Sequence, residues 1–261
     1  MISFDELVAL KPTGRNSWSA RAHPGCEANT GMFGGWTAAA MLKAALSCED
    51  AEGTPAAFTA NFVSRVEPGA DIVIRAQKLG GGRSLKSWRA EIMNDAGEFS
   101  ATASIVTANR RDSDRFLEGV MPAAPAPAAI PLAHPPGNFG TTIDMRPVSG
   151  FPPFKCADTR SLAWVRVVSS GALDWTRLVY LADATPPRVF YISDGPRPSS
   201  TITMSVYFYA TEAELAAVGE DHILSEVAGV RAEGSISGLT MRLWSRHGAL
   251  LATSEQLCWF R

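Results

Sequence analysis

The chain has 261 residues, of which 46% are hydrophobic and 19% charged, and its formal net charge is −2. This composition supports a buried core, and the small net charge argues against nucleic acid as the partner. The sequence contains no run of about twenty apolar residues, so we expect no membrane insertion. The first dozen residues lack the basic region followed by an apolar run that is typical of a signal peptide. The four cysteines show no pairing or metal-ligand spacing, so we expect a reduced, cytoplasmic protein without a bound metal.

The first half of the chain predicts a strand, a helix and four further strands. The stretch "NSWSARAH" is typical of a strand, and "GMFGGWTAAAMLKAALS" is typical of a helix that is apolar nearly all round. The four strands that follow are "FTANFVSRV", "DIVIRAQKL", "RSLKSWRAEIMN" and "EFSATASIVTA". A helix that is apolar on every side has to be buried on every side, so we expect the sheet to curve around it.

A segment rich in alanine and proline divides the chain. It reads "VMPAAPAPAAIPLAHPPGNFG", and it follows the charged run "NRRDSDRFLEG". Proline suits neither a helix interior nor a central strand, so this composition is typical of a semi-rigid linker. We therefore predict a first unit over residues 1–109, a linker over 110–150 and a second unit over 151–261.

The second half repeats the order of the first. "SLAWVRVV" predicts a strand, and "ALDWTRLVYLADA" predicts a helix that two prolines bring to an end. Four strands follow: "TITMSVYFYA", "HILSEVAGVRAEG", "ISGLTMRLWSR" and "LLATSEQLCWFR". Ala101 in the first half aligns with Ala252 in the second. Two such units can hide their open sheet edges by pairing with each other, which favours one continuous sheet.

The last predicted strand contains an unexpected amide, Gln256. Side chains alternate along a strand with period two, so Gln256 shares a face with Ala252, Ser254, Cys258 and Phe260. That face is otherwise small or apolar, and a buried amide has two donors and an acceptor to satisfy. We expect Gln256 either to bond to the backbone as a structural amide or to belong to a site.

Five short motifs occur in one order along the chain. They are "FGGW" and "GGRS" in the first half, and "YLADA", "STITMSVYF" and "ATSEQ" in the second. In this order the chain resembles the acyl-CoA thioesterase II type and its thioesterase-like relatives. The resemblance implies an α+β double hotdog fold and hydrolysis of an acyl-CoA thioester, in fatty acid metabolism. It also implies no cofactor beyond the CoA that is part of the substrate.

That family's active site is an Asp, a Thr and a Gln that hold one water. The resemblance assigns these roles to Asp183, Thr201 and Gln256. Where the relatives carry His-Arg after the threonine-bearing strand, this chain has Tyr209 and Ala210. Without the resemblance, Asp183 could simply end a helix, and Thr201 could be an ordinary strand residue.

Two further motifs predict where the substrate binds. Gly34 and Gly35 open the first helix, where N–H groups could meet a thioester oxygen, although glycines also permit close helix packing. Arg83 and Ser84 follow three glycines, and Arg83 could bind a phosphate of CoA. The alternative is that this stretch is a solvated part of a strand.

Other functions stay open at this point. A non-catalytic acyl or acyl-CoA binding protein could use the same scaffold. A hotdog dehydratase needs a histidine with an acid, and no histidine lies in or beside a predicted central helix. We also expect a homodimer or larger homo-oligomer, because aromatics such as Trp88 and Trp244 could expose an apolar sheet face.

Overall fold

A computed structural model describes residues 2–261 of the chain. Its helices are α1 (Phe4–Leu7), α2 (Gly34–Leu46), α3 (Trp175–Leu181) and α4 (Glu212–Val218). The strands from the first half are β1 (Lys11–Gly14), β2 (Ser17–Arg21), β3 (Glu27–Ala28), β4 (Gly31–Met32), β5 (Thr54–Phe62), β6 (Asp71–Gly81), β7 (Leu85–Met93) and β8 (Phe99–Ala108). The later strands are β9 (Ile143–Ser149), β10 (Ser161–Val167), β11 (Ser199–Phe208), β12 (Ile223–Glu233), β13 (Ile236–Trp244) and β14 (Leu250–Phe260).

One large sheet dominates the described residues. Its twelve strands run in the order β1-β2-β6-β7-β8-β5-β11-β14-β13-β12-β10-β9. The two halves join where β5 pairs with β11 in antiparallel register, with Ala57 opposite Tyr207 and Asn61 opposite Thr203. In the first half alone β5 would be an open edge strand, and in the second half alone β11 would be one. The pairing of β5 with β11 removes both open edges. The predicted α+β double hotdog fold is confirmed.

Helices α2 and α3 pack against each other at the centre of the fold. Ten residues of α2 are buried, which fits its apolar character on every side. Within the part of the chain that the structure describes, no helix is both long and apolar enough to cross a bilayer.

The predicted linker, residues 110–150, packs onto the outer face of the second half. The indole N–H of Trp164 donates to the carbonyl of Pro125 at 2.8 Å, and Ile130 packs with Trp164 and Trp244. The end of this stretch forms β9, which pairs with β10. A strand forms there because the buried Ile143 and Met145 extend the core by one more row.

The two tryptophans expected on an exposed face are both fully buried, so that expectation was wrong. Trp88 lies on the inner face with Ala90 and Ile92, and its N–H donates to the Thr107 hydroxyl at 3.1 Å. Trp244 lies on the outer face, but the predicted linker segment covers it. An oligomer, if it forms, must use other residues.

Candidate active site

A cavity of about 620 Å³ lies between the two halves, beside the N-terminus of α2. This volume is in the range of small-molecule sites. Its walls are mainly apolar, and the residues that form them include Phe33, Phe62, Phe139, Phe190 and six prolines. Such a wall suits an apolar ligand, and the polar and charged residues among the apolar ones decide the chemistry.

Asp183 is the acid in this cavity, and it directly follows the C-cap of α3. Its two carboxylate oxygens accept hydrogen bonds from the N–H of Gly35 at 2.9 Å and from Gln256 Nε2 at 3.0 Å. Burial raises the pKa of Asp183 from 3.8 to about 7, although the bonds from Gln256 and Gly35 favour the charged form. The carboxyl group is therefore poised to exchange a proton near neutral pH.

Two glycines open α2, and a side chain is excluded at each of them for a different structural reason. A Cβ on Gly34 would lie 2.7 Å from Asp183 Oδ2, so a side chain here would push against the acid. A Cβ on Gly35 would lie 2.5 Å from the carbonyl oxygen of Tyr180 and would also collide with the Phe33 ring. Gly34 thus permits the approach of Asp183, and Gly35 permits the approach of the two helices.

Gln256 is buried, with 7% of its surface exposed, on the face of β14 that alternation predicted. Its Nε2 group contacts Asp183 Oδ1, the Ala182 carbonyl oxygen at 3.2 Å and Met204 Sδ at 3.5 Å. Gln256 is not one of the described residues that line the cavity. The amide therefore holds the acid and the end of α3 in place, and contacts the cavity only through Asp183.

Thr201 lines the same cavity as Asp183. A β-bulge directs it there, because Thr201 pairs with Cys258 while Thr203 pairs with Leu257, which leaves one extra residue in β11. Within residues 2–261 the Thr201 hydroxyl contacts Cys258 Sγ at 3.9 Å and makes no hydrogen bond to the acid or the amide. The structure thus joins Asp183 to Gln256 and places Thr201 apart from them on the cavity wall.

The structure does not bring Arg83 and Ser84 to the cavity. The Arg83 carbonyl accepts a hydrogen bond from the Asn109 side chain, and the Ser84 hydroxyl accepts one from the Arg111 side chain. Asn109 and Arg111 lie just beyond the last residue of β8. The cavity is near the first residues of that strand, where Ser100 lines it. The two ends of a ten-residue strand are about 30 Å apart. A role for Arg83 and Ser84 in binding substrate within this cavity is therefore not supported, since the turn projects from the opposite end of the sheet.

Tyr180 supports the site, and sequence reasoning gave it no role. Its hydroxyl bonds to the Thr142 hydroxyl at 2.7 Å, and its ring packs edge-on against Phe4 and Phe33. These contacts fix α3 one turn before Asp183. The "YLADA" motif contained Tyr180, but Thr142 lies in the predicted linker and no sequence signal connected the two.

The repeat creates a second, equivalent position that lacks this chemistry. The alignment of Ala101 with Ala252 places Ile105 where the second half has Gln256. The residue after the C-cap of α2 is Cys48, where α3 is followed by Asp183. Burial raises the pKa of the Cys48 thiol to about 11, so it stays protonated at neutral pH. Residues 2–261 therefore contain one candidate site of this kind.

An arginine lies where β5 begins and β11 ends, at the opposite ends of these strands from the cavity. Arg110 donates hydrogen bonds to the carbonyls of Pro55, Phe208 and Tyr209 at 2.6 to 2.9 Å, and its guanidinium lies over the Trp175 ring. The departure from the relatives' His-Arg, at Tyr209 and the next residue, thus lies at the far end of β11 from the cavity. It leaves the surroundings of Asp183 intact.

The fold and the cavity define a double hotdog protein with a single acid-containing site. The chain matches the acyl-CoA thioesterase N-terminal domain over residues 23–108 and the acyl-CoA thioesterase C-terminal domain over residues 120–260. It therefore belongs to the acyl-CoA thioesterase family, and it is a thioester hydrolase by that membership.

Solved structures agree on the fold. A hot dog fold protein of unknown function from Alicyclobacillus acidocaldarius is 31% identical, with a TM-score of 0.94 over 100% of this chain and 98% of that one. The tesB protein of Mycobacterium avium subspecies paratuberculosis is 18% identical, with a TM-score of 0.82 over 98% of each chain. Acyl-CoA thioesterase II TesB2 from Mycobacterium marinum is 18% identical, with a TM-score of 0.78 over 98% of this chain and 97% of that one. No curated protein matches the chain.

Proposed function

We propose that the protein hydrolyses an acyl-CoA thioester to a free acid and CoA, with Asp183 as the general base. The observation that carries this proposal is a carboxyl group whose pKa is raised to about 7, on the wall of an apolar cavity. A general base works best when its pKa is near the working pH. A thioester is already activated, so a water molecule can attack it directly and no cofactor other than the substrate's own CoA is required.

In the proposed reaction, a water oxygen attacks the thioester carbonyl carbon while Asp183 accepts a proton from that water. The tetrahedral intermediate then collapses, the carbon–sulfur bond breaks, and the CoA sulfur leaves with the proton that Asp183 returns. Gln256 acts as a positioning residue, because its amide holds Asp183 Oδ1. Thr201 lines the cavity and can bond to the water or the acyl group.

The start of α2 is the proposed site for the oxyanion. The first N–H groups of a helix have no partner within the helix. Asp183 accepts the hydrogen bond from Gly35, while Gly34 lies beside it and lines the cavity. The Gly34 N–H is thus the candidate donor for the developing negative charge on the thioester oxygen.

Release of free thiol from a panel of acyl-CoA esters tests the proposal. We expect kcat/KM to fall about ten-fold for each pH unit below about 7, because only the carboxylate form of Asp183 can accept a proton. Reactions without protein correct for spontaneous hydrolysis. If the esters bind but release no thiol at any pH, the protein is instead an acyl-CoA binding protein on the same scaffold.

We also propose that the protein forms a homodimer or larger homo-oligomer in the cytoplasm. Four apolar side chains, Val230, Ile236, Leu257 and Trp259, are exposed on the outer sheet face, and Ile236 pairs directly with Trp259. An apolar patch of this kind favours self-association. The four free cysteines fit a reducing compartment. Light scattering at high micromolar concentration should show a mass above that of one chain, and a monomer would contradict the proposal.

A further inference from the structure

The cavity carries an excess of positive charge that the proposed chemistry does not use. Of the described residues that line it, three are charged: Asp183, Arg65 and Arg197. Asp183 has its partners in Gly35 and Gln256, and the proposed function assigns it to the attacking water. The two arginines come from different halves of the chain, so each half supplies one cation to the same cavity.

Arg65 lies just beyond β5 in the first half. Its side chain passes close to Gly31, where a Cβ would lie 2.6 Å from Arg65 Cγ, and it forms an ion pair with Glu67 at 2.9 Å. Half of the Arg65 side chain is exposed, and exposed ion pairs contribute at most about 1 kcal/mol. An anionic ligand can therefore replace Glu67 at small cost.

Arg197 lies between two cavity-lining prolines in the second half. Its Nε group donates to the backbone oxygen of Arg261 at 2.6 Å, and its guanidinium lies over the Phe260 ring at 4.9 Å. These two contacts fix the plane of the guanidinium next to the cavity. A guanidinium held in this way can meet phosphate oxygens with two parallel hydrogen bonds.

We propose that Arg65 and Arg197 together bind the phosphate groups of CoA when an acyl-CoA occupies the cavity. This inference rests on the proposed function, which places the thioester at Asp183 and the apolar acyl group among the aromatic rings. The phosphates are the anionic part of the same molecule, and both cations line the same cavity, with half of the Arg65 side chain exposed to solvent. A carboxylate on the acyl group is the other anion that could use them.

The test compares two thioesters of the same acyl group, one with CoA and one with N-acetylcysteamine, which has no phosphate. In Arg65→Ala and Arg197→Ala we expect KM for the CoA ester to rise about ten-fold each, because each variant loses one charge-assisted contact, and ten-fold corresponds to about 1.4 kcal/mol. KM for the N-acetylcysteamine ester and both kcat values should change little. Arg83→Ala, at the opposite end of the sheet, is the matched control and should change neither KM.

A second readout does not depend on turnover. Calorimetric titration with CoA alone should show about ten-fold weaker binding in each arginine variant and unchanged binding in Arg83→Ala. If the wild type binds CoA but hydrolyses neither ester, the proposed function fails while this inference stands. The inference is overturned if CoA binding is unchanged in both variants, or if the variants lose affinity only for N-acetylcysteamine esters whose acyl group carries a carboxylate.

Discussion

We expect Asp183→Asn to lower kcat by at least about 100-fold, which is the contribution of a general base. Asparagine has nearly the shape of aspartate and can still accept a hydrogen bond from Gly35 or Gln256, but it cannot accept the proton of the attacking water. Free thiol release above pH 7 measures the effect, and near-normal turnover in the variant would exclude Asp183 as the base.

The stability of the same variant tests whether the pKa of Asp183 is raised in the folded chain. The pKa of Asp183 is raised to about 7 in the folded chain, so folding favours its protonated form. The wild type therefore loses stability as pH rises towards 7, and the neutral asparagine does not. Between pH 5 and pH 8, the free energy of unfolding of Asp183→Asn should gain about 2–3 kcal/mol relative to wild type. Urea unfolding at several pH values measures this difference, and a difference independent of pH would contradict a raised pKa at Asp183.

Gln256→Ala should act through Asp183. Its Nε2 bond favours the charged acid, so its loss should raise the pKa of Asp183 further and shift the acid side of the pH–rate profile upwards. Because both residues serve one step, the double variant should be little slower than Asp183→Asn alone. Glu255→Ala, on the exposed face of the same strand, is the matched control and should leave the profile unchanged.

Alternation along β14 was enough to predict the buried face of Gln256, because a regular strand leaves only two faces to choose from. Strand periodicity could not identify the partner of Gln256, since Asp183 is 73 residues away and contacts it only after α3 packs; the family resemblance connected the two. Thr201 is the opposite case. Alternation from the buried Met204 would point Thr201 outwards, and an unpredicted bulge turns it into the cavity. The family resemblance identified the residue, but strand periodicity alone would have excluded it.

The sequence did not show which segments cover which surfaces, and the expectation of exposed tryptophans was wrong for this reason. Composition identified the alanine- and proline-rich segment, but it did not show that this segment would lie on Trp164 and Trp244. The glycines before Arg83 are typical of a loop near a ligand, and the sequence did not show that the order of the strands puts that turn at the end of the sheet opposite the cavity. Local sequence determines the helices and strands. Which segment covers the tryptophans, and how far the Arg83 turn lies from the cavity, depend on how the strands are ordered in the sheet.

The neighbouring glycines at the start of α2 should respond differently to the same substitution. Gly34→Ala places a methyl group 2.7 Å from Asp183 Oδ2, which is the end of a side chain and can move. We expect the fold to be kept while kcat falls by about 100-fold, because a displacement of about 1 Å at a reacting group costs this much. Gly35→Ala instead meets the Tyr180 backbone carbonyl at 2.5 Å, which cannot move without separating the helices. The free energy of unfolding should fall by about 2–3 kcal/mol.

Urea unfolding and thiol release, measured on both variants, distinguish the two effects. Gly82→Ala is the control, because a Cβ there would meet nothing within 4 Å and should change neither quantity. If Gly34→Ala loses stability as much as Gly35→Ala, the first glycine is a packing residue like the second. If Gly34→Ala keeps full activity, Asp183 does not need its observed position, and the assignment of the base is wrong. A stable but slow Gly34→Ala would instead tie turnover to the position of Asp183, because the added methyl group reaches the carboxylate before any other group that takes part in the reaction.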